Sequence, residues 1–297
     1  MAKIFNYGGQ AVIEGVMMRG RKAAVTAVRR SDGELAMDIR PLAAIYNGWM
    51  RRIPLARGVI VLIEAMVLGI RSLFYSASVS LEEEGEELSR KSMWAMVAVS
   101  LVLAVGLFFL APLFLTKLAN PFIPSSAIFH IVEGIVRIAF FIAYLWLISL
   151  LPDIKRVFTY HGAEHKTINA FEASVPMEVE AVKKHATAHT RCGTSFIFVV
   201  LVLAIVVFSI IGRHDLWIMI LSRILLIPVI AGIGYEVIYF GSRHSHNRLV
   251  RIVLAPGLLL QSLTTGEPDD SQLEVAISAL KKAVELDQME EIAQSPS

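Results

Sequence analysis

The stretch FIFVVLVLAIVVFSII, residues 196–211, contains no charged residue. A run of this kind is close to the length that an α-helix needs to cross the hydrocarbon layer of a membrane. The whole chain agrees, because 55% of its 297 residues are hydrophobic and its mean hydropathy is +0.61. Ordinary soluble domains do not reach these values. The sequence therefore predicts a mainly α-helical, polytopic integral membrane protein.

Three further apolar runs have the length and composition of membrane-spanning helices. Short connections at 120–124 and 212–215 join the four runs in pairs. This arrangement predicts two transmembrane hairpins, at 92–151 and 196–240, and about four spans. The four runs cover residues 93–115, 127–151, 196–211 and 216–240.

The stretch 58–79 is also apolar and long enough to span, but Glu64 and Arg71 interrupt it. These charges favour a helix that lies at the membrane interface or is half-buried. An acidic run follows, so we interpret 58–91 as an interfacial helix and a linker. A fifth crossing by 58–79 is the alternative, and it would move the N-terminal residues to the opposite side of the membrane.

Polar sequence surrounds the spans. Residues 1–57 contain short β-prone runs and a turn at 31–34, which predict a small β-rich module of two or three strands. Residues 241–297 begin with a short interfacial helix and end in an amphipathic tail helix. The tail must bury its apolar stripe, and the N-terminal module is the nearest candidate surface. The stripe comprises Leu273, Ile277, Leu280 and Val284.

Basic residues predict the orientation of the chain, because cytoplasmic loops are enriched in Lys and Arg. The segment 152–195 contains six of them, whereas the hairpin tips contain only Lys117 and Arg213. We therefore expect a multi-pass protein of the cytoplasmic membrane, with 152–195 and both termini in the cytoplasm. Residues 1–57 carry ten Lys and Arg against four acids. That excess suits anionic lipid headgroups, and a solvated basic surface explains it equally well.

The sequence YHGAEHK at 160–166 contains the pattern His161-x-x-Glu164-His165. On a helix, residues four apart lie one turn above each other, so both imidazoles can reach one metal ion. Glu164 then lies beside that ion, where a base that activates water is useful. The pattern is the one found in inverse zincins. The alternative is a solvent-exposed helix face that binds nothing.

Other residues of metal-binding type occur in 152–195. Glu172 shares a helix face with the two histidines but lies about 10 Å further along the axis, which is too far for the same ion. His189 is therefore the preferred third ligand, and Cys192 is the second choice. A small buried residue at a helix entrance explains Cys192 equally well. Its spacing from His189 gives no support to a nucleophilic Cys–His pair.

Glu14 is the one carboxylate in the apolar run 11–18. A buried carboxylate without a partner is costly, so Glu14 must be solvated, paired or bound to a cation. We predict that Glu14 lies at the same site as the two histidines, about 150 residues away in the sequence. The alternative is an exposed strand residue, or an ion pair with Arg19 or Arg21.

Ionisable residues also lie inside the predicted spans. His130, Glu133 and Arg137 share one helix face. Charges at this depth face the bundle interior and pair with one another, so a structural ion pair is the first interpretation and a polar pathway the second. The sequence contains neither a glycine-rich phosphate loop nor a nucleic-acid recognition pattern, and we expect no nucleic-acid partner.

Five sequence words extend over most of the chain: GQAVIEGVMMRG at 9–20, YHGAEHK at 160–166, RCGTSF at 191–196, PGLLLQ at 256–261 and TTGEPDD at 264–270. In these words the chain resembles the YqhQ family of bacterial integral membrane proteins. The resemblance implies a predicted metal-dependent enzyme without an established substrate or reaction. His185 falls outside the words. The residues on motif positions of the family are Glu14, His161, Glu164, His165, His189, Arg191 and Cys192.

We therefore predict a cytoplasm-facing, metal-dependent membrane enzyme, a hydrolase acting on a lipid-like or membrane-tethered substrate, with a divalent ion such as zinc. The competing hypothesis is a non-catalytic scaffold or an assembly or insertion factor, which acts with a membrane-protein partner or a second copy. A transporter ranks third. The predicted metal ligands are His161, His165, His189, Glu14 and Cys192, and the predicted catalytic residues are Glu164, as general base, and Arg191, which steadies an anionic group.

Overall fold

The computed structural model describes residues 7–43, 46, 48–82, 89–123, 125–212, 214–244 and 246–294. Most of the acidic run that was predicted as a linker, and Arg213 at one hairpin tip, lie outside these residues. The described part is a mainly helical, polytopic membrane protein with one small antiparallel sheet, as the sequence predicted.

The sheet has four strands in the order β1-β2-β3-β4, each antiparallel to the next, where the sequence predicted two or three. The run 11–18 is itself a hairpin: its two-residue turn, Ile13 and Glu14, joins Val12 to Gly15. Glu14 has a φ of 51° in this turn. The strands are β1 (Gly8–Val12), β2 (Gly15–Arg19), β3 (Ala23–Arg29) and β4 (Leu35–Pro41).

Ten α-helices follow in the described residues, and a π-helical turn at Gly106–Leu110 makes α2 and α3 one continuous rod. The four predicted spans correspond to α2–α3, α4, α7 and α8. The helices are α1 (Ala56–Glu82), α2 (Arg90–Val105), α3 (Ala111–Leu118), α4 (Ser126–Ile148), α5 (Pro152–Glu172), α6 (Val179–Val182), α7 (Gly193–Ile211), α8 (Leu216–Arg243), α9 (Arg248–Gln261) and α10 (Asp270–Gln294).

The sheet is covered on both faces. Side chains alternate along a strand, so the two sets of β3 residues pack against different helices. Val25 and Ala27 join the core that contains α5 and α10. Ala24 and Val28 pack on the other face, in clusters with residues of α1. The burial of every β3 residue before Arg29 follows from this double coverage.

The tail helix α10 packs against β2, β3 and α5, which confirms the predicted docking on the N-terminal module. Leu273, Ile277 and Leu280 of the predicted stripe are buried in the shared core, and Val284 is partly buried. Asp287 fixes the far end of the helix: its carboxylate accepts hydrogen bonds from the backbone N–H of Arg21 and of Lys22, and from the Tyr7 hydroxyl at 3.0 Å.

Five helices are long and apolar enough to cross a membrane, and the fifth is α1. The structure places one face of α1 on the sheet: Arg19 of β2 donates to Glu64 at 2.8 Å, and Thr26 of β3 donates to Ser72 at 2.9 Å. β1 also packs directly on α5, so the chain must return to the same side of the membrane between them. The rod α2–α3 and α4 provide two crossings. If both of these cross, a third crossing by α1 would separate β1 from α5, so the contact between β1 and α5 favours four spans.

The charges inside the bundle form a compact cluster around Glu133 of α4. Arg137 donates to its carboxylate at 2.5 Å, and Arg223 of α8 donates at 2.6 and 2.8 Å. The Nδ1 atom of His130 lies 3.3 Å from the same carboxylate. Arg137 also donates to the carbonyl of Phe108, which lies in the π-helical turn, where the irregular hydrogen bonding can release a carbonyl. The predicted ion pair is confirmed, and Arg223 is an additional member.

Candidate metal centre

Helix α5 carries the His-x-x-Glu-His pattern into the interior of the protein. The helix begins at Pro152, a residue suited to the first turn, and Asp153 complements the helix dipole there. Gly162 allows close packing, because a Cβ at this position would lie 2.0 Å from the carbonyl oxygen of Gly266. This approach brings the segment that follows α9 against α5. One backbone carbonyl of that segment then reaches His161.

Both imidazoles are oriented by backbone carbonyls. The Nδ1 atom of His161 lies 2.8 Å from the carbonyl oxygen of Thr264, and the Nδ1 atom of His165 lies 2.5 Å from that of Thr187. A carbonyl oxygen only accepts hydrogen bonds, so each Nδ1 carries the proton. In the neutral form of each ring, the Nε2 on its other side is then the nitrogen without a proton. Carbonyl partners of this kind orient histidines that bind metals.

Cys192 provides the third candidate ligand atom. Its Sγ lies 3.4 Å from the Nε2 of His161, and one ligand atom from each of His161, His165 and Cys192 fall within 4.8 Å of one another. Ligands of a tetrahedral zinc ion with bonds of about 2.0–2.3 Å lie roughly 3.3–3.6 Å apart, so a small adjustment would close the set. Cys192 is the N-cap of α7 and accepts a hydrogen bond from the backbone N–H of Thr194. Cysteine binds metals as the thiolate.

Glu164 lies next to the three candidate ligands. Its side chain is buried, and its Oε2 lies 3.6 Å from the Nε2 of His165 and 3.9 Å from that of His161. Both distances are too long for hydrogen bonds. Gly9 of β1 makes room for this carboxylate, since a Cβ there would lie 2.8 Å from the Cγ of Glu164. A buried carboxylate beside two imidazoles and a thiol suits a cation.

His189, the preferred third ligand in the sequence, is turned towards a different partner. Its Nε2 lies 3.7 Å from Glu172, which also forms an ion pair with Arg191. Burial alone would raise the pKa of the Glu172 carboxyl, but its contacts with His189 and Arg191 outweigh that effect and lower the pKa. Gln261 fixes the His189 backbone through both its N–H and its carbonyl. The structure therefore brings Cys192, and not His189, into the group of candidate ligands.

The structure does not bring Glu14 together with the histidines. Its carboxylate pairs with the guanidinium of Arg156, and the Tyr160 hydroxyl donates to it at 3.3 Å. The alternative of an ion pair holds, but the partner is Arg156 of α5. Burial of Tyr160, together with the charge of Glu14, raises the pKa of the tyrosine hydroxyl. The tight turn aims Glu14 at α5 more than one helical turn before His161.

A cavity of about 100 Å³ lies above the candidate ligands. This volume holds only a few water molecules, so the cavity cannot enclose a whole substrate, which must reach it from outside.

Sequence reasoning missed Gly9 and the two carbonyls that orient the rings. A backbone carbonyl, or the space that a glycine leaves, produces no recognisable pattern in the sequence. Gln261 belonged to a recognised word but had no assigned role. The lining residues are Tyr7, Gly8, Gly9, His161, Glu164, His165, Ile168, His189, Arg191, Cys192 and Gly193.

Comparisons with known proteins identify the family. A family model described as "Protein of unknown function (DUF1385)" matches residues 53–286. The chain is 36% identical to the "Uncharacterized protein YqhQ" of Bacillus subtilis (strain 168), over 98% of this chain and 96% of that protein. No solved structure matches. The protein described here therefore belongs to the YqhQ family.

Proposed function

We propose that this protein is a membrane-bound, metal-dependent hydrolase that holds a zinc-type divalent ion through His161, His165 and Cys192. The observation that carries the proposal is the orientation of the two rings: both Nδ1 atoms contact backbone carbonyls, and both Nε2 atoms face Cys192 or Glu164. A carbonyl contact at Nδ1, which turns Nε2 towards the site, is the arrangement found in histidines that bind metals.

The set of side chains suits catalysis better than a purely structural ion. Structural zinc sites use four protein ligands, whereas catalytic sites use three and keep a position for water. A metal ion in such a site lowers the pKa of the water that it binds. Glu164, beside the ligands but not required among them, is placed to accept the proton of that water. Its burial excludes bulk solvent from the carboxylate.

The position of the site points to a substrate in the membrane. Cys192 directly precedes α7, which has the length and composition of a span. The candidate ligands therefore lie where a span leaves the bilayer, and a lipid-like or membrane-tethered substrate can reach them by lateral diffusion. The excess of Lys and Arg in 152–195 supports a cytoplasmic orientation of this face.

The proposal is tested by the metal content of protein that is purified without chelator. We expect close to one divalent ion per chain in the wild type and loss of most of it in the double variant His161→Ala/His165→Ala. The matched control is His185→Ala/His246→Ala, which removes two histidines outside the cavity lining and should keep the metal. Glu164→Gln should also keep the metal, because a general base need not be a ligand, and should fail to restore the phenotype of a deletion strain.

Two results would contradict the proposal. If the wild-type protein contains no metal, even after incubation with zinc, the site does not bind a metal ion. A Glu164→Gln variant that restores the deletion phenotype fully removes the hydrolytic role. In either case the alternative is a scaffold, in which the hydrogen bonds of His161 and His165 only fasten neighbouring segments to α5.

A further inference from the structure

Two residues at the cavity are glycines although the described structure leaves space for a side chain at each of them. A Cβ added to Gly8 or to Gly193 would meet nothing within 4 Å among the described residues. Neither glycine is among the described residues with positive φ, so the backbone does not require glycine there either. Both residues line the cavity of the candidate metal centre. The opening between them is therefore free for the close approach of an external group.

The depth of this opening follows from α7. The helix begins at Gly193 and has 19 residues, which corresponds to about 28 Å and nearly matches the hydrocarbon thickness of a bilayer. A helix of this length and apolarity must begin close to the boundary of the hydrocarbon layer. Arg191 and Cys192, which directly precede it, then lie among the lipid headgroups, at the depth of the phosphate groups.

Arg191 offers a cation to an anion with several oxygens, and the metal ion offsets the carboxylate of Glu164 in the same cavity. Arg191 lines the cavity, and Glu172 is its one ion-pair partner in the described part of the chain. A guanidinium binds phosphate oxygens in a bidentate manner. The N-terminus of α7 adds partial positive charge on the same side. The Nε2 of His165, whose side chain is 2% exposed, lies 3.6 Å from Glu164 and is the nitrogen that the proposed function assigns to the metal ion.

We propose that the opening between Gly8 and Gly193 binds a phosphate group, carried by the headgroup of a membrane lipid, and that Arg191 recognises it. This inference rests on the proposed function, because the phosphate oxygens would share the cavity with the metal ion. It narrows the substrate from any membrane-tethered molecule to a phospholipid or lipid phosphate. When the lipid binds, Arg191 leaves its ion pair with Glu172 and pairs with the phosphate instead.

The test uses detergent-solubilised full-length protein loaded with Co²⁺, whose visible absorption reports both thiolate ligation and changes at the open position. Three probes are titrated: inorganic phosphate, dihexanoyl phosphatidylglycerol, and dihexanoylglycerol, which lacks the phosphate. The variants are Arg191→Gln and Arg191→Lys. The second of these keeps the charge without the bidentate geometry. Lys184→Gln is the matched control, since Lys184 is an exposed cation of the same segment that does not line the cavity.

We expect phosphatidylglycerol to shift the cobalt spectrum of the wild type and of Lys184→Gln, and dihexanoylglycerol to leave it unchanged. Arg191→Gln should keep the cobalt spectrum and bind the phospholipid roughly tenfold more weakly or worse, with Arg191→Lys in between. A cobalt spectrum that responds to neither phosphate probe overturns this inference and leaves the metal centre standing. A response to inorganic phosphate alone overturns the lipid source. Equal binding by Arg191→Gln overturns the role of Arg191, and failure to bind cobalt overturns the metal centre as well.

Discussion

Glu133→Gln should be the most destabilising single substitution within the spans. The Glu133 carboxylate is buried and is the shared partner of Arg137 and Arg223. Its loss leaves two guanidinium groups facing each other in a medium of low dielectric constant. Removal of one member of a buried ion pair costs about 3–5 kcal/mol, and the second arginine places this variant at the upper end. We expect a large drop in the unfolding midpoint in detergent.

The matched control is Glu236→Gln, the same substitution on another spanning helix. Glu236 pairs with Arg57, and both side chains are about one fifth exposed. An accessible pair of this kind contributes about 1 kcal/mol or less, so the control should lower the midpoint only slightly. Replacement of Arg223 by Met in the Glu133→Gln background should recover part of the lost stability. If Glu133→Gln unfolds at the same midpoint as Glu236→Gln, the cluster does not hold the bundle together.

Leu280→Asp should have the largest effect in the polar half of the protein. Leu280 is completely buried in the core that the sheet shares with α5 and α10. The substitution removes a large apolar side chain, a loss of about 2–5 kcal/mol, and adds the cost of burying a carboxylate. Because α10 packs on α5, its displacement should also disturb the helix that carries His161 and His165. We expect a lower melting temperature together with reduced metal retention.

The control for this variant is Lys281→Asp, which places the same charge on the neighbouring, exposed position of α10. It should change the melting temperature little, because surface substitutions usually stay within about 0.5 kcal/mol. An unchanged melting temperature for Leu280→Asp would mean that α10 does not contribute to this core. Normal metal retention in a destabilised Leu280→Asp protein would mean that the metal centre does not depend on α10.

The spans and the histidine pair could be predicted from the sequence because both are local patterns. An apolar run such as 196–211 can satisfy its backbone only as a helix in lipid, and the spacing of His161 and His165 fixes their common helix face. The docking of the tail was also predictable, since its apolar stripe required a cover. These features depend on a few neighbouring residues and not on the way in which distant segments meet.

The order of preference between His189 and Cys192 and the position of Glu14 could not be predicted, because both depend on distant contacts. Sequence spacing favoured His189, but its Nε2 lies 3.7 Å from Glu172, although its ring lies beside that of His165 at a centroid distance of 5.5 Å. Glu14 was expected at the site because a lone carboxylate needs a partner. It found that partner in Arg156, on the same helix as the histidines but before them. The expectation that Glu14 needs a partner was right. Which residue becomes that partner depends on the register of α5 against β1.

Composition alone also could not decide whether α1 crosses the membrane. Its sequence is less apolar than the sequences of the other candidate spans. The decision comes from contacts: Glu64 faces Arg19, and Arg51 donates to the same carboxylate at 2.9 Å. These contacts hold one face of α1 on the sheet, whereas Ile63, Met66 and Leu73 of the same helix stay exposed. Because β1 contacts α5, both lie on the same side of the membrane, and the chain between them must cross an even number of times.

X-ray absorption at the zinc edge, on purified full-length protein, tests the central claim most directly, because it reads the ligand atoms themselves. We predict one sulfur at about 2.3 Å and two imidazole nitrogens at about 2.0–2.1 Å, with one or two lighter oxygen neighbours. In Cys192→Ser the sulfur shell should disappear while the imidazole signal stays. A first shell made only of oxygen, or one that keeps its sulfur in Cys192→Ser, would contradict a metal centre formed by His161, His165 and Cys192.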